Sequence, residues 1–314
     1  MTAFHLSEPC CGTGALTLSF IPGAKLLVPF QGNKWRRRKQ LQALITERGF
    51  TELHSCQLND AGPWGSVWSA LVRERDMVLF HLHGMAKRDP REVFDSLQRS
   101  PAPTFFEAAR FAAEFLFLQR VAYSGKAVQV RDGLWVSPGF NRNSAYGCEG
   151  TERFGPIYPM VPALIRNIEG MPSWGWPTAR RRRKGEMQPP PAVAASYADA
   201  LELSPARLWY PEGKVTQPES VLGQVPIVVY LDPPYAEGTR FPGVHLTREQ
   251  VVLVALRWHL EYGAYVLVSE AEPVAELVEV GWEARELRGA TPQVTSPFRS
   301  KRPEWVTMSP KGEP

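Results

Sequence analysis

Apolar runs of two kinds alternate along this chain. Short ones bounded by turn residues predict strands, and longer ones with apolar positions three and four apart predict helices. Phe4 to Leu6, "KLLVPF" (Lys25 to Phe30) and "LHSCQL" (Leu53 to Leu58) predict early strands. "WGSVWSALVRERDMVLFHL" carries helical spacing, and "FFEAARFAAEFLFLQR" (105 to 120) predicts a helix with a broad apolar stripe. Residues 121 to 215 are mixed, with "KAVQV" and "GLWVS" as short strand candidates before a Pro- and Arg-rich stretch. From 225 a regular alternation returns: strand Val225 to Leu231, helix Thr247 to Glu261, strand Ala264 to Ser269, helix Pro273 to Val280, then strands around "WEARELR" and "EWVTMS". Strands alternating with helices predict an α/β fold on a largely parallel sheet, with helices on both faces and a middle insert interrupting it.

The strand from Val225 ends in "LDPPYAEGTRF". A short, continuously apolar strand is one buried on both faces, the central strand of a parallel sheet. Prolines stop it, because they cannot donate to the ladder. Two in a row fix φ twice and leave only carbonyl acceptors. The loop thus offers the Asp232 carboxylate, rigid carbonyls at Pro233 and Pro234, and the Tyr235 ring. It follows the carboxyl end of a strand, where open α/β sheets bind ligands. Such a loop suits a flat ring bearing an NH₂ group. Two acceptors, Asp232 and the Pro233 carbonyl, would pull on the two hydrogens and free the nitrogen lone pair, while Tyr235 stacks on the ring. The structural alternative is a proline-rich turn with Asp232 as an ordinary turn residue.

"LSEPCCGTGALTLSF" (Leu6 to Phe20) makes a matching second site. An acid, Glu8, then Gly12 and Gly14, is how a first strand turns tightly into a helix that approaches a ligand. Asp60, in "LND", stands where a second strand ends, placed to accept hydrogen bonds from ribose hydroxyls or else to cap the next helix.

Charge and cysteine usage add partners and exclude others. The 314 residues are 44% hydrophobic and 22% charged, an ordinary globular composition. No apolar run is long enough to span a membrane and no signal-peptide pattern opens the chain, so a soluble, cytoplasmic protein is expected. The four cysteines, at 10, 11, 56 and 148, lack metal-ligand spacing and read as reduced packing thiols. Net charge is only +4, but it is clumped. "KWRRRK" supplies Arg36, Arg37, Arg38 and Lys39, and a second run supplies Arg180, Arg181, Arg182, Arg183 and Lys184. Clustered cations predict a polyanion, bound through its phosphates, unless each run is simply a solvated loop.

Taken together, these motifs resemble the Dam-type (alpha-group) DNA adenine N6-methyltransferases, which use S-adenosylmethionine. "EPCCGTGAL" is similar to their cofactor motif, "PFQGNKWRRRKQL" to their G-G-K segment, "LNDAGPWGSVWSAL" to the stretch carrying their second-strand acid, and DPPY to their catalytic motif. "VLVSEAEPVAELVEVGWEARELRG" and "SKRPEWVTMS" resemble their closing elements. The chain departs in placing Lys34 after Gly14, in having Asn33 where a glycine is usual, and in its Arg-rich insert. The resemblance implies a Rossmann-like methyltransferase sheet over 1–104 and 216–314, with a target-recognition insert over 105–215. It implies catalysis by Asp232, Pro233, Pro234 and Tyr235, and cofactor binding by Glu8, Pro9, Cys10, Gly12, Gly14, Lys34 and Asp60. Double-stranded DNA would be the partner, with a restriction endonuclease as a second partner where the enzyme belongs to a restriction-modification pair. Cytosine N4, RNA adenine N6, a protein glutamine, or a non-catalytic DNA-binding protein on the same fold are the competing expectations.

Overall fold

A computed structural model describes residues 2–8, 14–28, 34–35, 37–58, 63–104, 107–122, 128–147, 159–171, 225–233, 247–287 and 304–310. In chain order its elements are β1 (Thr2–Glu8), α1 (Ala15–Ser19), α2 (Arg38–Glu47), β2 (Phe50–Leu58), α3 (Pro63–Arg73), α4 (Arg75–Ala86), α5 (Pro90–Arg99), α6 (Ala108–Val121), β3 (Gln129–Arg131), β4 (Leu134–Val136), α7 (Arg142–Tyr146) and α8 (Met160–Glu169). Then come β5 (Ile227–Leu231), α9 (Arg248–Tyr262), β6 (Tyr265–Glu270), α10 (Ala275–Glu279), β7 (Glu283–Glu286) and β8 (Trp305–Met308).

The described residues within 1–20, 34–61 and 179–314 form one compact unit, and those within 21–33 and 62–178 form another. The boundary expected at 104/105 is therefore displaced. Residues 63–104 belong to the second unit because α3 and α4 pack chiefly against α6.

The first unit is built on a six-stranded, mostly parallel sheet of order β2-β1-β5-β6-β8-β7. β1 pairs in parallel with β2 and β5, and β5 with β6, while β8 runs antiparallel between β6 and β7. Every residue of β5 and β6 is buried, which is why both read as unbroken apolar runs. Ile227, Val229, Leu231, Val266 and Val268 form one face of the pleat. That face packs against Val251, Ala255 and Trp258 of α9 and Leu277 of α10. Tyr265 belongs to the opposite set, where its ring stacks on Phe50 at 5.8 Å and the Arg48 guanidinium lies over it at 5.6 Å.

Local chemistry sets the ends of α9. Thr247 Oγ1 accepts from the Gln250 N–H, and Gln250 Oε1 accepts from the Thr247 N–H, a reciprocal capping box. Gly263 stops the helix in the left-handed conformation at φ 61°. Helix α2 is not expected from "KWRRRK", yet it is tied to the sheet at both ends. Arg37, just before it, lies 3.5 Å from Glu304, and at its far end Glu47 pairs with Arg285 (2.6 Å) and Arg48 with Glu283 (2.8 Å). Exposed pairs such as the last two each contribute about 0–1 kcal/mol, so they fix placement more than stability.

In the second unit α6 is the central helix, with Phe115, Leu116, Phe117 and Leu118 all buried. Trp64 meets Phe115 edge-on at 5.2 Å. Buried Glu114 accepts from Trp135 Nε1 at 2.8 Å and pairs with Arg110, fixing the β3–β4 hairpin to the helix. That hairpin turns at Asp132-Gly133, both at positive φ, as a two-residue turn requires. Lys25 to Val28 is expected to be a strand and is not one. Leu27 and Val28 are buried, but the Leu26 carbonyl accepts from the Asn167 side chain at 3.0 Å rather than from a ladder. An apolar run reports burial, and burial alone does not make pairing. Residues 29 and 30 lie outside the described residues.

Val229 is fully buried in the central strand. Val229→Ala removes two methyl groups and leaves a void, so unfolding free energy is expected to fall by about 2 kcal/mol. Urea denaturation should show a lower midpoint with an unchanged slope; a change below about 0.5 kcal/mol would contradict the assigned core.

Candidate active site at the carboxyl ends of the parallel strands

From β1 the chain proceeds to β2 on one side, while β5 and β6 lie on the other. The crevice between the carboxyl ends of β1 and β5 is therefore a topological switch point, the place where open α/β sheets take ligands. Glu8 is the last residue of β1, and Asp232 directly follows β5. The two motifs singled out in the sequence thus end at the same crevice.

Glu8 is 1% exposed. It accepts from the Thr17 N–H at 2.7 Å and from the Thr17 hydroxyl, so it binds the first turn of α1. Gly14 begins that turn in the left-handed region at φ 60°, a conformation that costs an L side chain. Burial pushes the Glu8 carboxyl up to about 7; its Thr17 hydrogen bonds oppose the shift and the charge of Asp232 adds to it.

Asp232 is held from two sides through one oxygen. Lys34 Nζ lies 3.0 Å from Oδ1, and Ser269 Oγ donates to Oδ1 at 2.8 Å. The Tyr230 hydroxyl donates in turn to Ser269 at 3.1 Å. No described residue hydrogen-bonds Oδ2. Burial holds the Asp232 carboxyl above the usual aspartate range; Lys34 opposes this and Glu304 reinforces it. Lys34 is itself buried and reaches a second carboxylate, Glu304 Oε1, at 2.8 Å.

Two further acids stand at this rim, and neither is picked out by a sequence motif. Glu270 ends β6, and Glu304 immediately precedes β8, whose antiparallel register sets Trp305 opposite Glu270. Burial raises Glu270 to about 7, with Arg248 opposing and Asp232 adding. A signal is nonetheless present: "YVLVSE" ends in polar residues as "VVYLD" does, and "PEWVTM" places an acid just before its apolar run. Among the described residues, Asp232 and Glu304 thus pair with the Lys34 ammonium, and Glu8 and Glu270 stand near enough to feel the charge of Asp232.

The remaining expected positions divide clearly. Pro233 is buried beside Asp232. Arg37 is turned to Glu304, Arg38 lies over the Trp35 ring at 3.9 Å, and Lys39 is exposed. Pro9, Cys10, Gly12, Asp60, Pro234, Tyr235, Arg36 and the run Arg180 to Lys184 lie outside the described residues. Cys56 is buried, and burial pushes its thiol to about 12, which makes it an inert packing group.

The acid rim has a measurable signature. Glu270 titrates near 7 in the folded chain and near 4.5 unfolded, so its contribution to stability is full below about 4.5 and is lost as pH rises through about 7. Glu270→Gln removes that loss. The melting temperature of the variant should therefore rise relative to the unsubstituted protein as pH goes from 5 to about 8. Parallel curves for the two proteins would refute the assigned burial.

No protein-family model matches the chain, and a comparison with curated proteins finds no match.

Proposed function

We propose that this chain is an S-adenosylmethionine-dependent methyltransferase acting on the exocyclic N6 amine of adenine in double-stranded DNA, on a Rossmann-like sheet. The observation that carries the reading is the geometry of Asp232. It sits at the carboxyl end of the central parallel strand, at the switch point, with Oδ1 anchored by Lys34 and Ser269 and Oδ2 unbonded among the described residues. A carboxylate fixed through one oxygen presents the other in a set direction.

The donor set fits the cofactor. S-adenosylmethionine carries a sulfonium and an ammonium, and an excess of buried carboxylate at the rim favours a cationic guest. Glu8, Lys34 and Asp60, with Pro9, Cys10, Gly12 and Gly14, would hold it. Bound there, it supplies a methyl group activated on sulfur.

Each residue of the site then has a task. Asp232 Oδ2 accepts one hydrogen of the amine and the Pro233 carbonyl the other, which localises the nitrogen lone pair. As positive charge develops on nitrogen, the carboxylate stabilises it. Its raised proton affinity also makes Asp232 a better acceptor for the departing proton than an exposed aspartate. Tyr235 stacks on the base, which must leave the duplex to reach the site. Target recognition is assigned to the second unit and the Arg-rich stretch that follows it, and phosphate contact without sequence readout to the cationic runs.

Labelled methyl transfer to duplex DNA, read by nucleoside mass spectrometry, tests this. N6-methyladenine is expected. Label on cytosine N4, or on RNA alone, would move the substrate. Asp232→Ala should lower turnover roughly a hundredfold to a thousandfold while calorimetry shows cofactor affinity largely kept. Undiminished turnover in that variant would refute the assignment.

A further inference from the structure

Among the described residues the Lys34 ammonium pairs with two carboxylates, and Asp232 alone of the two belongs to the DPPY motif. The second, Glu304, immediately precedes β8. A lysine side chain has four rotatable bonds and a compact charge with no preferred fork geometry. Paired with Asp232 alone, it could slide between the two carboxylate oxygens or swing away. A second carboxylate at 2.8 Å removes that freedom and leaves Nζ 3.0 Å from Oδ1.

We propose that Glu304 is a positioning residue for the methyl transfer inferred above: it holds the Lys34 ammonium on Asp232 Oδ1, so that Oδ2 remains the acceptor offered to the substrate amine. This rests on the methyltransferase reading of the site. Glu304 acts through Lys34 and does not touch substrate. Arg37, 3.5 Å from Glu304 Oε2, steadies the same carboxylate from the start of α2.

The charged and titratable groups around Asp232 can be named from the described residues. Lys34 and Glu304 face it directly, Ser269 donates to it, and Tyr230, Glu8 and Glu270 interact with its charge. Among these, Lys34 favours the ionised form and Glu304 opposes it. Substitutions at 34 and 304 should therefore move the Asp232 titration in opposite directions, while recovery of kcat by the neutral Gln separates positioning from charge.

Two variants separate position from charge. Glu304→Gln keeps an oxygen that can accept from Lys34 but removes the charge. Glu304→Ala removes both. If Glu304 positions Lys34, Glu304→Ala should lower kcat roughly tenfold or more with KM for DNA within about twofold, and Glu304→Gln should recover most of the loss. The acid limb of the pH–kcat profile should move down in Glu304→Gln and up in Lys34→Met. Carbon-13 NMR of carboxyl-labelled aspartate, with Asp232 assigned from Asp232→Asn, reads the same two shifts without turnover. Retention of kcat within about twofold in Glu304→Ala overturns the proposal, as does an Asp232 titration unmoved in both Glu304→Gln and Lys34→Met. Titrations that move as expected in a protein with no methyl transfer would support the Lys34 coupling and overturn the activity, so the two failures are distinguishable.

Discussion

The buried ammonium of Lys34 is the constraint around which the first unit is arranged. Taking a lysine out of water costs several kcal/mol unless it is paired and hydrogen-bonded, and the same holds for each carboxylate. Asp232, Glu304 and Lys34 are each intelligible only with the others present. Remove the ammonium and two mostly buried acids are left close together. Remove one acid and the ammonium loses a carboxylate that offsets its burial. The placement of three segments, the one before α2, the end of β5 and the start of β8, comes from satisfying that one charge. Apolar packing of β5 and β6 beneath supplies the rigid floor, and the ion network sets what stands on it.

The rim as a whole is acidic and largely buried, and those properties reinforce one another. Burial raises the proton affinity of Glu8, Asp232 and Glu270, and each charge adds to its neighbour's difficulty. Such a rim is costly as a structural feature, because apolar residues would pack there more stably. Perturbed carboxyls gathered at a ligand-binding crevice are the usual mark of chemistry or of a cationic guest. The proposed cofactor answers to both descriptions.

Much of this is legible in the sequence, and the omissions have physical causes. β5 and β6 are readable because strands buried on both faces are continuously apolar, and α9 because its caps and spacing agree. Asp232 and Glu8 stand out because each ends a strand beside turn-forming residues. The partners of Lys34 do not, since ion pairs between segments distant in the chain leave no local pattern. Glu304 is the clearest case: its place before an apolar run marks it as an acid at a strand end, but nothing local ties it to Lys34. α5 and α8 are hidden for a different reason. Both are amphipathic, but they stand among prolines and glycines that suggest irregular structure. Lys25 to Val28 shows the converse error, burial taken for pairing.

The antiparallel strand β8 has a consequence for how the protein is made. It lies between β6 and β7 in the sheet, yet the ribosome delivers it after both. Until it emerges, β7 has no partner in the sheet and the flank of β6 that β8 will occupy stays open, an edge prone to pairing with the wrong strand. Asp232 is made long after Lys34, and Glu304 arrives later still with that strand, so the ammonium first waits without either carboxylate and then with only one. The nascent chain therefore cannot assemble its centre piecemeal. Sheet closure and charge neutralisation fall in the same step, and a chain stalled before it should draw on chaperones.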